Sequence, residues 1–421
     1  MGFFIKNVVN FNNNLLSNDL KSLKKLVIDY QSEFLNFYKL NKEFKTRTDN
    51  NFSGAINPPE IFKDFLNIYH IPDYSFRIGS VVIKNPVICA PLAGISDNTY
   101  RIFAKAFGSS LSFTEMISSY GVYFNSSESI LLSNITDFER PCGIQIFGSE
   151  PAVILESAQK LEDKADMIDL NMGCPVPKVL KSKSGGFLLQ DENRVEKIIS
   201  EVISKIKKPL TIKVRTGWDK NNINVERIAK IAESLGVSAV TIHGRTVKQG
   251  FSGDVNYEVI KEVKKKIKIP VIVSGDIDTP LKAKRVLDFT GCDAVMIGRA
   301  ARGSLWVMFN VLMAFYKFYS NDQLLNNKDP KLKPKNNSNN NEYSNYFNYH
   351  PPLAWRKKFA ELYLKFMIYF KGEDKAVKEF RKYLAWIFKG VAGIGKVRKD
   401  FYLIDTYDRA VKVIGDLNNF Y

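Results

Sequence analysis

Between residues 74 and 320, short apolar or β-branched runs alternate with longer segments whose apolar positions recur every three or four residues. The runs at 86–90, 111–115, 143–147, 167–170, 210–215, 239–243, 271–274 and 294–297, short and apolar or β-branched, read as strands. Eight strands, each followed by a helical segment, predict a (β/α)8 TIM barrel. Three of them share a pattern. Ala165-Asp166-Met167-Ile168-Asp169-Leu170-Asn171, Ser238-Ala239-Val240-Thr241-Ile242-His243 and Cys292-Asp293-Ala294-Val295-Met296-Ile297-Gly298 each run apolar into a residue with chemical use. A doubly wound open sheet would alternate in the same way, but its Gly-x-Gly-x-x-Gly after the first strand is missing. Pro91-Leu92-Ala93-Gly94 stands there instead.

The flanks differ from this middle. Residues 1–73 are rich in Asn, Lys and Phe, with helical spacing from 20 to 44, and form an N-terminal extension. Residues 321–349 are Asn- and Lys-rich and too polar for an ordinary loop, so they read as a flexible insertion or linker. Helical spacing resumes in 350–421, through Trp355, Phe359, Leu362, Phe366 and Tyr369 and again over 376–389, which predicts a small C-terminal helical domain.

Composition narrows the function classes. Of 421 residues, 61 are Lys or Arg and 44 are Asp or Glu, and the net charge of +17 favours a polyanionic partner, nucleic acid first and an anionic membrane second. Within 349–421 the balance is 15 basic to 8 acidic residues, so the terminal helices are a concentrated basic element. The four cysteines, Cys89, Cys142, Cys174 and Cys292, include no Cys-x-x-Cys pair, which supports neither a metal site nor a disulfide framework and places the chain in a reducing compartment. No apolar run is long enough to span a membrane, and Lys6 and several Asn interrupt any signal-like segment, so a soluble protein is expected.

A barrel of this class carries its chemistry at the C-terminal ends of its strands, and those positions are well stocked with polar groups. They hold Gln145, Asn171, Cys174, Lys213, Arg215, His243, Ser274, Gly275, Asp276, Gly298 and Arg299. Glycine backbone amides after the last two strands suit a phosphate. Each residue also has a plain structural reading. A buried cysteine is usually inert packing, and Cys89, Cys142 and Cys292 take that reading. Lys213 within an apolar strand needs a partner, which is either a structural carboxylate or a bound anion. His243 alone would be a hydrogen-bonded core residue, and Gly275 and Gly298 could simply cap strands. Cys174 stands apart because Gly173 and Pro175 hold it in a tight loop, where a thiol can act as an acid.

Pro91-Leu92-Ala93-Gly94-Ile95-Ser96-Asp97, Asn171-Met172-Gly173-Cys174-Pro175, Lys213-Val214-Arg215-Thr216-Gly217-Trp218, His243-Gly244-Arg245-Thr246 and Gln249-Gly250-Phe251-Ser252-Gly253 together resemble the tRNA-dihydrouridine synthase family, nearest its bacterial B-type branch. The resemblance is strong over 76–306 and weaker over the terminal helices, through Arg381-Lys382-Tyr383-Leu384-Ala385-Trp386. It implies a cytoplasmic FMN enzyme that reduces the C5–C6 double bond of tRNA uridines and reloads the flavin from NADPH, with no metal and no membrane. By matched position, Cys174 is the general acid that protonates C5 while reduced flavin delivers hydride to C6. Pro91, Leu92, Ala93 and Gln145 match flavin-ring contacts, and Lys213 and His243 match the ring's electron-rich edge. Ser274, Gly275, Asp276, Gly298 and Arg299 match the ribityl and phosphate contacts. Asn171 holds the uracil edge, and Lys178 and Arg215 lie on the substrate side.

Two positions depart from the family pattern: Ser274 stands where Asn is usual, and Tyr383 where the terminal helix often has His. Two rival functions share these features. A flavin barrel acting on a free pyrimidine or dihydroorotate would keep the phosphate loops, but it has no use for a basic helical domain. An RNA-binding module with a vestigial flavin site would keep the charge, but it has no use for Cys174, Lys213 and His243.

Overall fold

The computed structural model describes residues 13–37, 74–318 and 349–418. The expected insertion at 321–349 and part of the N-terminal extension lie outside the described residues, Tyr349 excepted. The chain divides into two compact units, one built on the barrel and one on helices.

Eight parallel strands form the first unit: β1 (Val87–Cys89), β2 (Ser112–Phe113), β3 (Cys142–Phe147), β4 (Met167–Met172), β5 (Leu210–Arg215), β6 (Ala239–His243), β7 (Val271–Ser274) and β8 (Ala294–Ile297). Their order runs β1-β8-β7-β6-β5-β4-β3-β2. A parallel bridge between Ile88 and Leu111, with the Cys89 N–H donating to the Leu111 carbonyl at 2.9 Å, joins the two ends and closes the barrel. Six of the helices between strands are α1 (Asn98–Ala106), α2 (Pro151–Leu161), α3 (Glu192–Ile203), α4 (Val225–Ser234), α5 (Tyr257–Lys266) and α6 (Pro280–Thr290), and α7 (Trp306–Phe318) follows β8. Asp97, Asp191, Asn256 and Thr279 cap α1, α3, α5 and α6 by accepting a first-turn N–H.

The second strand departs from the expected run over 111–115. Pairing stops after Phe113 and resumes at Ile117–Ser118 beside Ile146 and Phe147. In the gap, the Thr114 hydroxyl accepts the Gln145 N–H at 3.1 Å in place of a ladder bond, and the Glu115 carboxylate turns to accept the Gly94 N–H. A hairpin that the pattern did not predict, Phe76–Ile78 with Val81–Ile83, precedes the barrel. Ile78 and Ile83 are fully buried and join Leu111, just before β2, and Met167, Ala239, Ile272 and Ala294, which sit toward the N-terminal ends of their strands. The hairpin therefore stoppers the bottom of the barrel and leaves the polar side chains to the opposite mouth.

The helical unit combines the helix Asn13–Phe37 with α8 (Leu353–Lys371), α9 (Glu373–Ile387), α10 (Ile394–Tyr402) and α11 (Tyr407–Gly415). Leu20, Leu23, Leu26, Val27 and Tyr30 make the buried stripe of the first helix. Trp355 donates its indole N–H to the Leu26 carbonyl at 3.1 Å, and Tyr349 donates its hydroxyl to Glu33 at 3.0 Å. The N-terminal helix, expected over 20–44, thus forms over Asn13–Phe37 and is part of the terminal helical unit. Trp355, Phe359 and Tyr363 stack one turn apart along α8, and Tyr363 meets Tyr383 of α9 at 5.0 Å between ring centroids. Tyr383 is 1% exposed, so the tyrosine that departs from the family pattern fills the helical core. No described helix is long and apolar enough to cross a membrane.

Candidate active site

Cys174 lies two residues beyond β4, in a loop fastened from both sides. The Asn171 Oδ1 accepts the N–H of Gly173 at 3.2 Å and of Cys174 at 3.0 Å, and the Cys174 carbonyl accepts the Gly186 N–H at 3.0 Å. Glycine is required at 186, because a Cβ there would come within 2.7 Å of Val247 and 3.0 Å of the Cys174 carbonyl. The thiol is half-buried. Burial raises its pKa, against a smaller lowering by the Val176 N–H and by Arg215 and Lys213, so at neutral pH it carries its proton.

Behind the loop, four side chains from three adjacent strands form a directional chain. Thr211 donates to Asp169 Oδ1 at 2.6 Å, Gln145 Nε2 donates to Asp169 Oδ2 at 2.6 Å, and Asn171 Nδ2 donates to Gln145 Oε1 at 2.8 Å. Gln145 and Asn171, expected against flavin ring and uracil, therefore use much of their hydrogen-bonding capacity on one another and on the Cys174 loop. Burial pushes Asp169 up to about 6, against the hydrogen bonds from Gln145 and Thr211 and the charge of Lys213.

Lys213 and His243 bring basic groups to the same region. The ammonium of Lys213, a residue in register with Asn171 on one side and Thr241 on the other, makes no hydrogen bond or ion pair to a described residue. Burial and the neighbouring Arg215 lower it to about 8, with Asp169 and Cys174 acting in the other direction. His243 is buried, and desolvation followed by the charges of Lys213, Arg215, Arg245 and Arg299 holds its pKa far below the ordinary imidazole value. It is a neutral ring. Arg215 is buried and donates from Nε to the Gly173 carbonyl at 2.9 Å and from Nη1 to the carbonyls of Thr246 and Gly250 at 2.9 and 2.6 Å. Only its Nη2 lacks a hydrogen bond to a described residue. Lys178 is exposed on the short helix Pro177–Lys181.

The loops after β7 and β8 are adjacent, as the pairing of Ser274 with Met296 requires. Gly275 has φ +121°, and a Cβ there would lie 2.9 Å from the His243 ring, so glycine lets the loop pass over the imidazole. The N–H groups of Gly275, Asp276, Gly298 and Arg299 donate to no described residue. Gly298 has room to spare, since the nearest atom to a Cβ there is 3.6 Å away on Ala90. Unpaired backbone donors beside an open glycine surface fit an anionic group such as a phosphate. The Asp276 carboxylate instead binds Arg245 through both oxygens and Arg299 at 2.6 Å, and its pKa is lowered mainly by Arg245. Asp276 can thus serve an anion through its N–H while its charge is neutralised. Ser274 ends β7, buried, with its carbonyl accepting the Gly244 N–H at 3.1 Å. After β1, the Leu92 carbonyl accepts the N–H groups of Ile95 and Ser96, a turn that exposes Ala93 and leaves Pro91 and Leu92 half-buried.

Four residues gain roles that the motifs did not assign. Asp169 and Thr211 end the polar chain. Arg245 links the β6 and β7 loops, donating also to the Ser252 and Gly253 carbonyls. Phe251, 56% exposed, presents its ring to the guanidinium groups of Arg215 at 5.5 Å and Arg299 at 4.9 Å. The available signal was chemical: an aspartate inside a mainly apolar strand and an arginine two residues after a strand-end histidine both demand partners. Among the described residues no group of His, Cys, Asp and Glu is arranged to hold a metal ion.

A family model described as dihydrouridine synthase (Dus) matches residues 88–417. The tRNA-dihydrouridine synthase B of Escherichia coli is 36% identical over 339 residues, covering 80% of this chain and 97% of that protein. The proteins of the same name from Proteus vulgaris and Pseudomonas aeruginosa are 34% and 33% identical, covering 80% and 79% of this chain and 97% and 92% of theirs. The match takes in the barrel, the Cys174 loop and the terminal helices, and the chain belongs to the dihydrouridine synthase family, on its B-type branch.

Proposed function

We propose that this protein reduces uridine to 5,6-dihydrouridine in tRNA, using FMN and NADPH, with Cys174 as the acid. The observation that carries the reading is the presence in one barrel mouth of a proton-bearing thiol on a fastened loop and a set of unpaired anion-binding donors. FMN, when bound, supplies the hydride that adds to C6 of the pyrimidine. Its phosphate suits the N–H groups of Gly275, Asp276, Gly298 and Arg299, with the Arg299 side chain adding charge, and its ring suits the Pro91-Leu92-Ala93 turn and Lys213.

The chain's own residues then have defined tasks. Hydride addition leaves negative charge on the pyrimidine, and Cys174 Sγ–H discharges it by giving a proton to C5. Lys213 and Arg215 stabilise the thiolate that remains, which is the direction in which they already act on the Cys174 pKa. The His243 ring, neutral and without a hydrogen bond to a described residue, is available to a ligand as donor or acceptor. A uridine must leave its stack to reach such a mouth, so the substrate needs a grip elsewhere along the RNA. The basic helical unit supplies charge for that grip, which supports RNA over a free pyrimidine as substrate. The test is purification of the protein and release of its chromophore by denaturation. FMN is expected, and protein that takes up no FMN would sink the reading.

A further inference from the structure

We infer that Asp169 is a positioning residue for Cys174: through Gln145 and Asn171 it decides which amide atom faces the backbone of the Cys174 loop. The inference rests on the reading of Cys174 as the acid, and it concerns a residue that touches neither ligand nor thiol.

Hydrogen-bond direction carries it. Asp169, Gln145 and Thr211 are each 1–2% exposed and occupy paired positions on β3, β4 and β5, Gln145 opposite Asp169 and Asp169 opposite Thr211. An ionised carboxylate only accepts, so Gln145 must turn its Nε2 toward Asp169, as it does at 2.6 Å. That leaves Oε1 facing Asn171, which must then present Nδ2, as it does at 2.8 Å. The Asn171 Oδ1 is thereby committed to the N–H groups of Gly173 and Cys174. Without an acceptor at the far end, only the two loop N–H groups orient the pair, and Gln145 is free to turn over, because its oxygen and nitrogen ends are nearly equal in size; a turned Gln145 sets an N–H against Asn171 Nδ2 and drives Asn171 to turn as well. A turned Asn171 would set N–H donors against two N–H donors, and the loop would have to shift.

The charge of Lys213 accounts for only part of this carboxylate, being the smallest of the influences that favour its ionised form. Burial disfavours its charge, as its rise to about 6 shows, and an apolar residue would suit the strand better. A buried ionisable group at the head of a fully directional chain is accounted for by what the other end of the chain holds in place.

The test uses the full-length protein and reads the Cys174 thiol directly, by the rate and pH profile of its alkylation with iodoacetamide, followed on the Cys174 peptide by mass spectrometry. Cys89, Cys142 and Cys292 are buried and serve as internal controls. Asp169→Leu removes the acceptor, and the Cys174 rate should rise about tenfold, the scale of one missing hydrogen bond, with a displaced pH profile. Asp169→Asn keeps an acceptor for Gln145 and a donor that the Thr211 hydroxyl can accept, so it should restore the parental profile to within about threefold. If Asp169→Leu does not fold, Gln145→Met breaks the same chain one link on and should show the same change. An unaltered Cys174 profile in folded Asp169→Leu or Gln145→Met would overturn the inference, as would Asp169→Asn behaving like Asp169→Leu. Survival of uridine reduction in Cys174→Ala would remove the acid role and leave a shifted thiol profile standing, so the two readings fail separately.

Discussion

The Oδ1 atom of Asn171 accepts the backbone N–H of Cys174 at 3.0 Å, so the last polar side chain of β4 sets the posture of the thiol that follows it. Asn171 therefore acts first on the loop. Asn171→Ala removes two hydrogen bonds to that loop, each worth about 1 kcal/mol, and should lower kcat for uridine reduction by roughly ten- to thirtyfold with little change in KM for tRNA. Steady-state kinetics on tRNA check this, and a rise in KM alone would instead make Asn171 a substrate contact.

Arg299 reaches Asp276 with one nitrogen and lies 4.9 Å from the Phe251 ring centroid, with its side chain 41% exposed. Arg299→Ala should weaken FMN retention by about ten- to hundredfold, the range for a charge-assisted phosphate contact of about 1.5–3 kcal/mol. Equilibrium dialysis against FMN measures it, with free riboflavin as the comparison, whose binding should change much less because it has no phosphate.

Lys213 gives a pH dependence with a defined sign. Its pKa in the fold, about 8, is below the ordinary 10.5, so the half-buried ammonium costs stability below pH 8 and that cost is relieved as pH rises from 8 to 10.5. Lys213→Met should abolish this contribution and be the more stable protein at pH 7 without ligand. Binding of an anion beside Lys213 favours the charged form, so FMN affinity should fall above pH 8 in the parent by up to about tenfold per pH unit and stay flat through that range in Lys213→Met. Thermal denaturation and flavin fluorescence titrations across pH 7 to 10 read both effects.

Lys396, Arg398 and Lys399 are exposed on α10 and make no ion pair with a described residue. Reversing all three to Glu should weaken tRNA binding and flatten its dependence on salt by about 0.7–0.9 for each phosphate no longer neutralised, while FMN binding is unchanged. Filter binding over a series of salt concentrations distinguishes this from an ordinary solvated surface, on which the slope would not move.

The barrel was legible because its strands are mainly apolar or β-branched runs that alternate with helical segments and pair with their neighbours in order. The second strand, expected over 111–115, pairs only at Ser112–Phe113, because the Thr114 hydroxyl takes the Gln145 N–H in place of a ladder bond, which no periodicity records. The hairpin at Phe76–Ile78 is too short to show a period, and α10 and α11 are nine-residue helices flanked by glycines and charges. Several motif positions, among them Cys174 and His243, lie at the C-terminal ends of the strands or just beyond them. What the motifs missed is mutual: Gln145, Asn171 and Arg215 look like ligand-facing polar groups singly, and only the fold shows them bonded to Asp169, to the Cys174 loop and to backbone carbonyls. Asp169 itself lay in view within a buried strand, without a visible partner.

Cys174→Ala separates the two half-reactions, with Cys142→Ala as a control from the buried wall of the barrel. Flavin reduction by NADPH is followed by absorbance, and dihydrouridine in an unmodified tRNA transcript by mass spectrometry. Parental flavin reduction is expected in both variants, with dihydrouridine formation falling in Cys174→Ala alone, by about 10²–10⁴-fold as for removal of a general acid. Dihydrouridine formed by Cys174→Ala at the parental rate would contradict an acid role for this thiol.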